Sequence, residues 1–338
     1  MYNLITGTTS GIGRDLVEWL SEPNRMFEVN DVSPPIMYHG NRRDIDPKFK
    51  SDVIEHCELN VDMSSKSSID EFVCKLDEDI QRKEYISNDD IPLDNGKLSL
   101  IILNAGMKST RKTVDWDGQQ LNMCRVVNLI ANHYLLELLI DKNLITDNAR
   151  IVMTTSITHW DAKRDPYKDF GSDSTDRSDS TDPVWASAQY ANTKMGLFFL
   201  ARKISRLKPN FDIRLINPGM VATKIFGDYK DTSLIGTAIR GIREWLSLPP
   251  KEAAEIMGRW ISMRGEQLNT SNQINIGFTY FTPYESNRLF GFIYKTEMLQ
   301  DLFGYRLLYR NNCMTSNFSE LVMDPDVEAA YTIYMQHK

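Results

Sequence analysis

Short apolar runs alternate with amphipathic stretches along most of the chain. Tyr2 to Ile5 form the first run, and after a glycine-rich interval Arg14-Asp-Leu-Val-Glu-Trp-Leu20 places its apolar positions at helical spacing. Ile54 to Asp62 reads as a later strand and Ser68 to Leu76 as an amphipathic helix. Leu98-Ser-Leu-Ile-Ile-Leu103 is the clearest buried strand; Asp117 to Leu139 predicts one long helix, and Arg150 to Ser156 the next strand. The run starting at Tyr190 predicts a helix, Phe211 to Ile216 a strand, Lys251 to Ile261 a helix and Gln273 to Phe281 a last strand. Strand and helix alternating through residue 223 predict an α/β chain with a doubly wound parallel sheet.

Composition narrows the organisation. The chain has 338 residues, 41% of them hydrophobic, which suits one large domain over residues 1–281 with a C-terminal extension over residues 282–338. The extension is aromatic-rich after Pro283; packing on the core or covering the substrate site is its expected role, ahead of a dimer contact or a membrane-surface patch. A net charge of -7 leaves no basic footprint for nucleic acid. Cys57, Cys74, Cys124 and Cys313 lack metal-type spacing and read as free thiols, so no metal site is expected. The first strand begins at about Tyr2 and no run approaches the length of a membrane span, so a soluble, cytoplasmic protein is expected. Residues 77–97 read as an extended surface helix and loop, and the low-complexity stretch 171–182 as a polar loop at a site mouth.

The candidate chemistry sits where the elements end. Tyr190 and Lys194 are four apart, on one face of a helix, where an ammonium near a phenol favours phenolate and lowers its pKa. Thr6-Gly-Thr-Thr-Ser-Gly-Ile-Gly13 joins a strand to a helix N-terminus, a ready anion site, with Gly7, Gly11 and Gly13 allowing a tight turn and a pyrophosphate to approach. The next strand has two candidates. Met26 to Asp31 would offer a carboxylate to a ribose 2′-hydroxyl and favour NAD; Ile36 to Arg43, preferred here, would offer Arg42 or Arg43 to a 2′-phosphate and favour NADP. Asp62 ends the third strand, Asn104-Ala105-Gly106 follow the Leu98 strand, and Asn128 interrupts an apolar helical stretch that gives an amide no obvious partner. Ser156 ends another strand, and Asn217-Pro218-Gly219 leads to Val221 and Thr223.

In that order and spacing these motifs resemble the short-chain dehydrogenase/reductase family over roughly residues 2 to 281. Asp117-Gly-Gln-Gln and Val127-Asn-Leu-Ile-Ala-Asn-His look like its retinol-dehydrogenase-type branches, and Val322-Met-Asp-Pro-Asp-Val-Glu is similar to the end of 3-keto-steroid reductases. The resemblance implies a Rossmann-type sheet and a catalytic set of Asn128, Ser156, Tyr190 and Lys194. Tyr190 would be the general acid/base, Lys194 would lower its pKa and bind the nicotinamide ribose, Ser156 would orient the substrate oxygen, and Asn128 would hold a relay water. It also implies a nucleotide site made of the turn (Gly7, Thr9, Ser10, Gly11, Ile12, Gly13), Arg42, Asp62 with Met63 at the adenine, Asn104, Ala105 and Gly106, and Pro218, Gly219, Val221 and Thr223 at the nicotinamide. The expected cofactor is NADP, with NAD as the alternative, and the expected partner is a small, apolar steroid, retinoid or lipid carbonyl compound. A homodimer through the helices at Asp117–Leu139 and Tyr190–Arg206 is expected on the same ground. The blurred second strand and the long Ser156-to-Tyr190 interval depart from the family pattern.

Overall fold

The structure is a computed structural model that describes residues 2–22, 35–42, 54–86, 96–108, 112–156, 158–159, 162–166, 183–219, 221–222, 247–263, 278–281, 322 and 324–336. Seven parallel strands form its sheet: β1 (Tyr2–Thr6), β2 (Ile36–Asn41), β3 (Glu55–Asn60), β4 (Leu98–Leu103), β7 (Ile145–Thr154), β8 (Asp212–Ile216) and β9 (Thr279–Phe281). Their order across the sheet is β3-β2-β1-β4-β7-β8-β9. The chain therefore works outward from β1 to β3, then crosses back to β4 beside β1. That reversal leaves a crevice at the carboxyl ends of β1 and β4, the place where doubly wound sheets bind ligands.

Side-chain alternation on the strands feeds two separate cores. On one face Ile101, Leu103, Ile151 and Met153 pack with Phe72, Leu136 and Phe199 from helices α2 (Lys66–Ile86), α3 (Met123–Asp141) and α4 (Pro183–Leu207). On the other, Leu100, Ile102 and Val152 meet Trp19 of α1 (Gly11–Leu20) and Met257 of α5 (Pro250–Ser262). Central strands buried on both faces read as continuous apolar runs, which is why the Leu98 strand was legible.

The preferred second strand is the one that forms: Ile36–Asn41 pairs in parallel with β1, Tyr2 opposite Ile36 and Thr6 opposite Gly40. Met26 to Asp31 lie outside the described residues, as do 171–182, Thr223, Cys313 and the aromatic segment after Pro283. Cys57, Cys74 and Cys124 are free thiols.

Two expectations need correction. The helix expected from Asp117 begins at Met123, because residues 113–122 fold into an antiparallel hairpin, β5 (Thr113–Trp116) and β6 (Gln119–Asn122). Asp117 and Gly118 make its turn with φ of 56° and 82°, the left-handed pair that a two-residue hairpin turn requires. Asn122 then caps α3, accepting the N–H groups of Cys124 and Arg125. Second, Met123–Asp141 is by length and composition long enough to cross a membrane, contrary to the expectation that no run approaches it; in the fold 67% of that stretch is buried as a core helix.

A last helix, α6 (Pro325–Gln336), lies along α4 and reaches the start of α3. Tyr331 stacks on Phe199 with centroids 4.7 Å apart, and Glu328 pairs with Arg202 and Arg206. The guanidinium of Arg125, 1% exposed, donates through Nε and Nη2 to the Tyr334 carbonyl at 3.0 and 2.7 Å.

Candidate active site

The crevice is built first from the turn after β1. Gly7 has φ of 73°, and a Cβ there would lie 2.6 Å from Ala105 Cα, so the turn after β1 and the turn after β4 pack backbone to backbone. A Cβ on Gly13 would lie 2.1 Å from the Gly7 carbonyl oxygen. Asn104 donates its Nδ2 to that oxygen at 3.0 Å, and Thr6 Oγ1 accepts the N–H groups of Asn104 and Ala105 at 3.1 and 3.0 Å. Ser10, at the N-cap of α1, is extended and makes no side-chain cap hydrogen bond. The helix N-terminus is thus left with N–H groups and a dipole at the mouth of the turn, and this fits the pyrophosphate of a dinucleotide.

Arg42 follows the end of β2 and Asp62 the end of β3; Arg42 Nη1 lies 3.9 Å from Asp62 Oδ2, with the arginine side chain 58% exposed. Asp62 Oδ1 accepts the N–H and the hydroxyl of Ser64 at 2.9 and 2.7 Å, which fixes the carboxylate at the crevice's far edge beside buried Met63. Beyond β8, Asn217 Oδ1 accepts the Gly219 N–H at 3.0 Å, and Val221 is buried and bridged to Leu248. Pro218 lies in the same turn.

Asn128, Ser156, Tyr190 and Lys194 come together at the carboxyl ends of β4 and β7. Lys194 donates Nζ to the Thr154 carbonyl at 2.8 Å, and the ammonium lies 5.6 Å from the Tyr190 ring centroid. Gly106 marks the convergence: a Cβ there would lie 3.4 Å from Asn128 Oδ1 and 3.6 Å from Lys194 Nζ. Asn128 sits in a π-helical segment of α3, Val126–Ile130, the kind of widened turn that aims a side chain off the regular ladder. Its amide is paired twice with one residue, accepting the Met107 N–H at 2.8 Å and donating to the Met107 carbonyl at 2.9 Å. Asn128 therefore clamps the turn after β4, and its own carbonyl accepts Asn132 Nδ2 at 2.9 Å.

The electrostatics correct one expectation. The Tyr190 phenol is not lowered: burial, and secondarily Cys124, push its pKa above the ordinary value, while a hydrogen bond from Ser156 works the other way. Lys194 is itself pushed down to about 8 by burial. At neutral pH the pair is a phenol beside an ammonium, so Tyr190 has a proton to give.

Sequence reading missed three contributors. Thr6 was taken only as the start of the glycine turn. Cys124, fully buried, accepts from Asn128 Nδ2 at 3.2 Å, and its thiol is pushed up to about 12 by burial. Met107 takes part through its backbone, which no side-chain pattern reveals.

No protein-family model and no curated protein matches the sequence. Solved structures do match. An alcohol dehydrogenase from the archaeon Thermococcus sibiricus, complexed with 5-hydroxy-NADP, aligns at 18% identity and a TM-score of 0.51 over 78% of this chain and 91% of its own. A short-chain dehydrogenase/reductase from Saccharomyces cerevisiae aligns at 14% and 0.52 over 89% and 98%. The angucycline C-6 ketoreductase LanV with bound NADP aligns at 14% and 0.52 over 83% and 93%. The likeness is one of fold. It places the chain among proteins with this seven-stranded, doubly wound sheet.

Proposed function

We propose that the protein is a short-chain dehydrogenase/reductase that uses NADP(H) to interconvert a carbonyl and an alcohol on a small, apolar substrate of the steroid, retinoid or lipid type. One observation carries the reading: Asn128, Ser156, Tyr190 and Lys194, spread along the chain from residue 128 to residue 194, gather beside an uncapped helix N-terminus at the switch point of the sheet.

The nicotinamide cofactor supplies or accepts the hydride when bound. The turn from Gly7 to Gly13 and the α1 N-terminus hold its pyrophosphate, Arg42 a 2′-phosphate, Asp62 and Met63 the adenine, Asn104 to Gly106 the adenosine-side ribose, and Pro218, Gly219 and Val221 the nicotinamide. Thr223, assigned to the nicotinamide by resemblance, lies outside the described residues. Tyr190 hands its phenolic proton to the substrate oxygen as negative charge develops there, Ser156 Oγ orients that oxygen, and the Lys194 ammonium holds the ribose hydroxyls and stabilises the phenolate left behind. Asn128 keeps the turn after β4 in register with this group.

NADP is preferred over NAD because Arg42, not an acidic residue, stands just beyond the end of β2 with its guanidinium exposed. The solved ketoreductase and alcohol dehydrogenase above hold NADP or a derivative of it, which agrees with that choice. The homodimer implied by resemblance uses the outer faces of α3 and α4. Because α6 lies along α4, it forms no part of the proposal.

The test is fluorescence titration with NADPH and NADH side by side, followed by turnover of a panel of apolar ketones and aldehydes. NADPH binds more tightly, and Arg42→Ala narrows that preference. Tyr190→Phe retains NADPH binding and loses about 10²–10⁴ in turnover, the usual worth of a positioned general acid. No binding of either nucleotide, or undiminished turnover in Tyr190→Phe, rejects the reading.

A further inference from the structure

Beneath the glycine-rich turn runs a chain of hydrogen bonds, buried at Thr8, Asn41 and His39 and half-buried at His56 and Ser21, that the proposed chemistry does not use. Thr8, the residue after Gly7, is 0% exposed, and its backbone N–H donates to Asn41 Oδ1 at 2.7 Å. A backbone N–H needs an oxygen, so this contact fixes the orientation of the Asn41 amide. Its Nδ2 then donates to Thr8 Oγ1 at 2.6 Å. The chain continues from Thr8 Oγ1 to His39 Nδ1 at 3.2 Å, from His39 Nε2 to His56 Nδ1 at 2.8 Å, and from His56 Nε2 to Ser21 Oγ at 3.3 Å. Ser21 Oγ donates to the Val17 carbonyl at 2.7 Å.

The order of protons is read from the Ser21 end. The Val17 carbonyl can only accept, so Ser21 gives it its proton and Ser21 Oγ accepts from His56 Nε2. His56 Nδ1 then accepts from His39 Nε2, which leaves His39 Nδ1 to accept from the Thr8 hydroxyl. Thr8 Oγ1 has two lone pairs, and its acceptance of the Asn41 amide is compatible with that order. Burial agrees, since it holds both rings in the neutral form, with His39 pushed down to about 3 by burial and by its neighbour His56, and His56 lowered by burial.

The chain clamps the phosphate cradle at both ends. Gly7 N–H is held by the Gly40 carbonyl at 3.1 Å and Thr8 N–H by Asn41, so the turn is registered against the end of β2. At the far end Ser21 and Val17 belong to the exit of α1, the helix whose N-terminus faces the crevice. We infer that Asn41, His39 and His56 are positioning residues for the dinucleotide, acting through Thr8 to hold the glycine-rich turn in its binding form. The inference rests on the nucleotide reading proposed above, but the proton order does not.

Two measurements on the full chain test it. Long-range nitrogen-15 correlation spectra at neutral pH, with the two rings assigned by single histidine variants, show both as neutral Nε2–H tautomers; an Nδ1–H tautomer or an imidazolium at either position overturns the proton order. In NADPH titrations, Thr8→Val, which removes the hydroxyl at constant shape, raises the dissociation constant about tenfold, the worth of roughly one net hydrogen bond. Thr8→Ser restores it, and the loss falls on the KM for NADPH and not on kcat at saturation. An unchanged dissociation constant in Thr8→Val, or a loss in kcat alone, overturns the positioning role. If the unmodified protein binds neither nucleotide, the functional reading has failed instead, and the spectra still decide the proton order. Should Thr8→Val not fold, Asn41→Asp serves, because its carboxylate still accepts the Thr8 N–H but draws the hydroxyl proton away from His39; the same rise in dissociation constant is expected, and its absence overturns the inference.

Discussion

Lys194 carries an ammonium to a place where only 4% of its surface is exposed, and burial lowers its pKa from the ordinary 10.5 to about 8. Between those two values the unfolded chain binds more protons than the folded one, so stability rises with pH across that window. Below pH 8 the burial cost is present in full. Lys194→Met removes it, and thermal melts are expected to show the variant more stable than the parent at pH 7, by an amount on the order of 1–3 kcal/mol, with the gap closing towards pH 10.5. The same melts with Asn128→Leu show the reverse sign at all pH values: the Met107 N–H and carbonyl lose their partners, at a cost of about 1–3 kcal/mol for each group left unsatisfied. Asn128 was legible as an amide in an apolar stretch that needed a partner. The partner was not, because it is the backbone of Met107, and a backbone group has no letter in the sequence. The effect of burial on Tyr190 was hidden for a related reason: spacing shows that Lys194 is near, but only packing shows how much water the phenol has lost.

At the level of elements, strands buried on both faces and helices with a clear apolar side were read correctly, and the errors fell where a short polar segment chose between two periods. The Asp117 helix is the instructive case. Gln119-Gln120-Leu121-Asn122 can be drawn on a helix as easily as on a strand, and the deciding signal was the Asp117-Gly118 pair, which favours a two-residue turn with left-handed backbone at both positions. Gly118→Val tests that account: nothing lies within 4 Å of a Cβ at this position, so any loss comes from the φ of 82° alone. A destabilisation of about 1–2 kcal/mol is expected in denaturant titrations. The π-helical segment was not readable at all. It depends on Asn122 capping the helix and on Asn128 being drawn to Met107, two tertiary facts that no periodicity carries.

Among the described residues α6 packs along α4. Its Glu328 meets Arg202 and Arg206 of α4, Arg202 being 6% exposed, and its Tyr334 hydroxyl reaches Gln189 Oε1 at 3.2 Å, so the helix follows α4 over most of its described length. Glu328→Lys sets three cations together at that contact and is expected to lower the melting temperature by several degrees, roughly what 1–3 kcal/mol does in a chain of this size. Sedimentation of the unmodified protein decides whether α3 and α4 also pair with a second copy, as in the homodimer that the family resemblance implies. The docking site of α6 was hidden in the sequence, because Arg125 looks like any surface cation until the Tyr334 carbonyl is found against it. That contact spans 209 positions of sequence. During synthesis the N-terminal strands and α3 emerge long before residue 334, and for all that time Arg125 lacks the Tyr334 carbonyl. The contacts around Arg125 are therefore expected to be completed only when α6 docks.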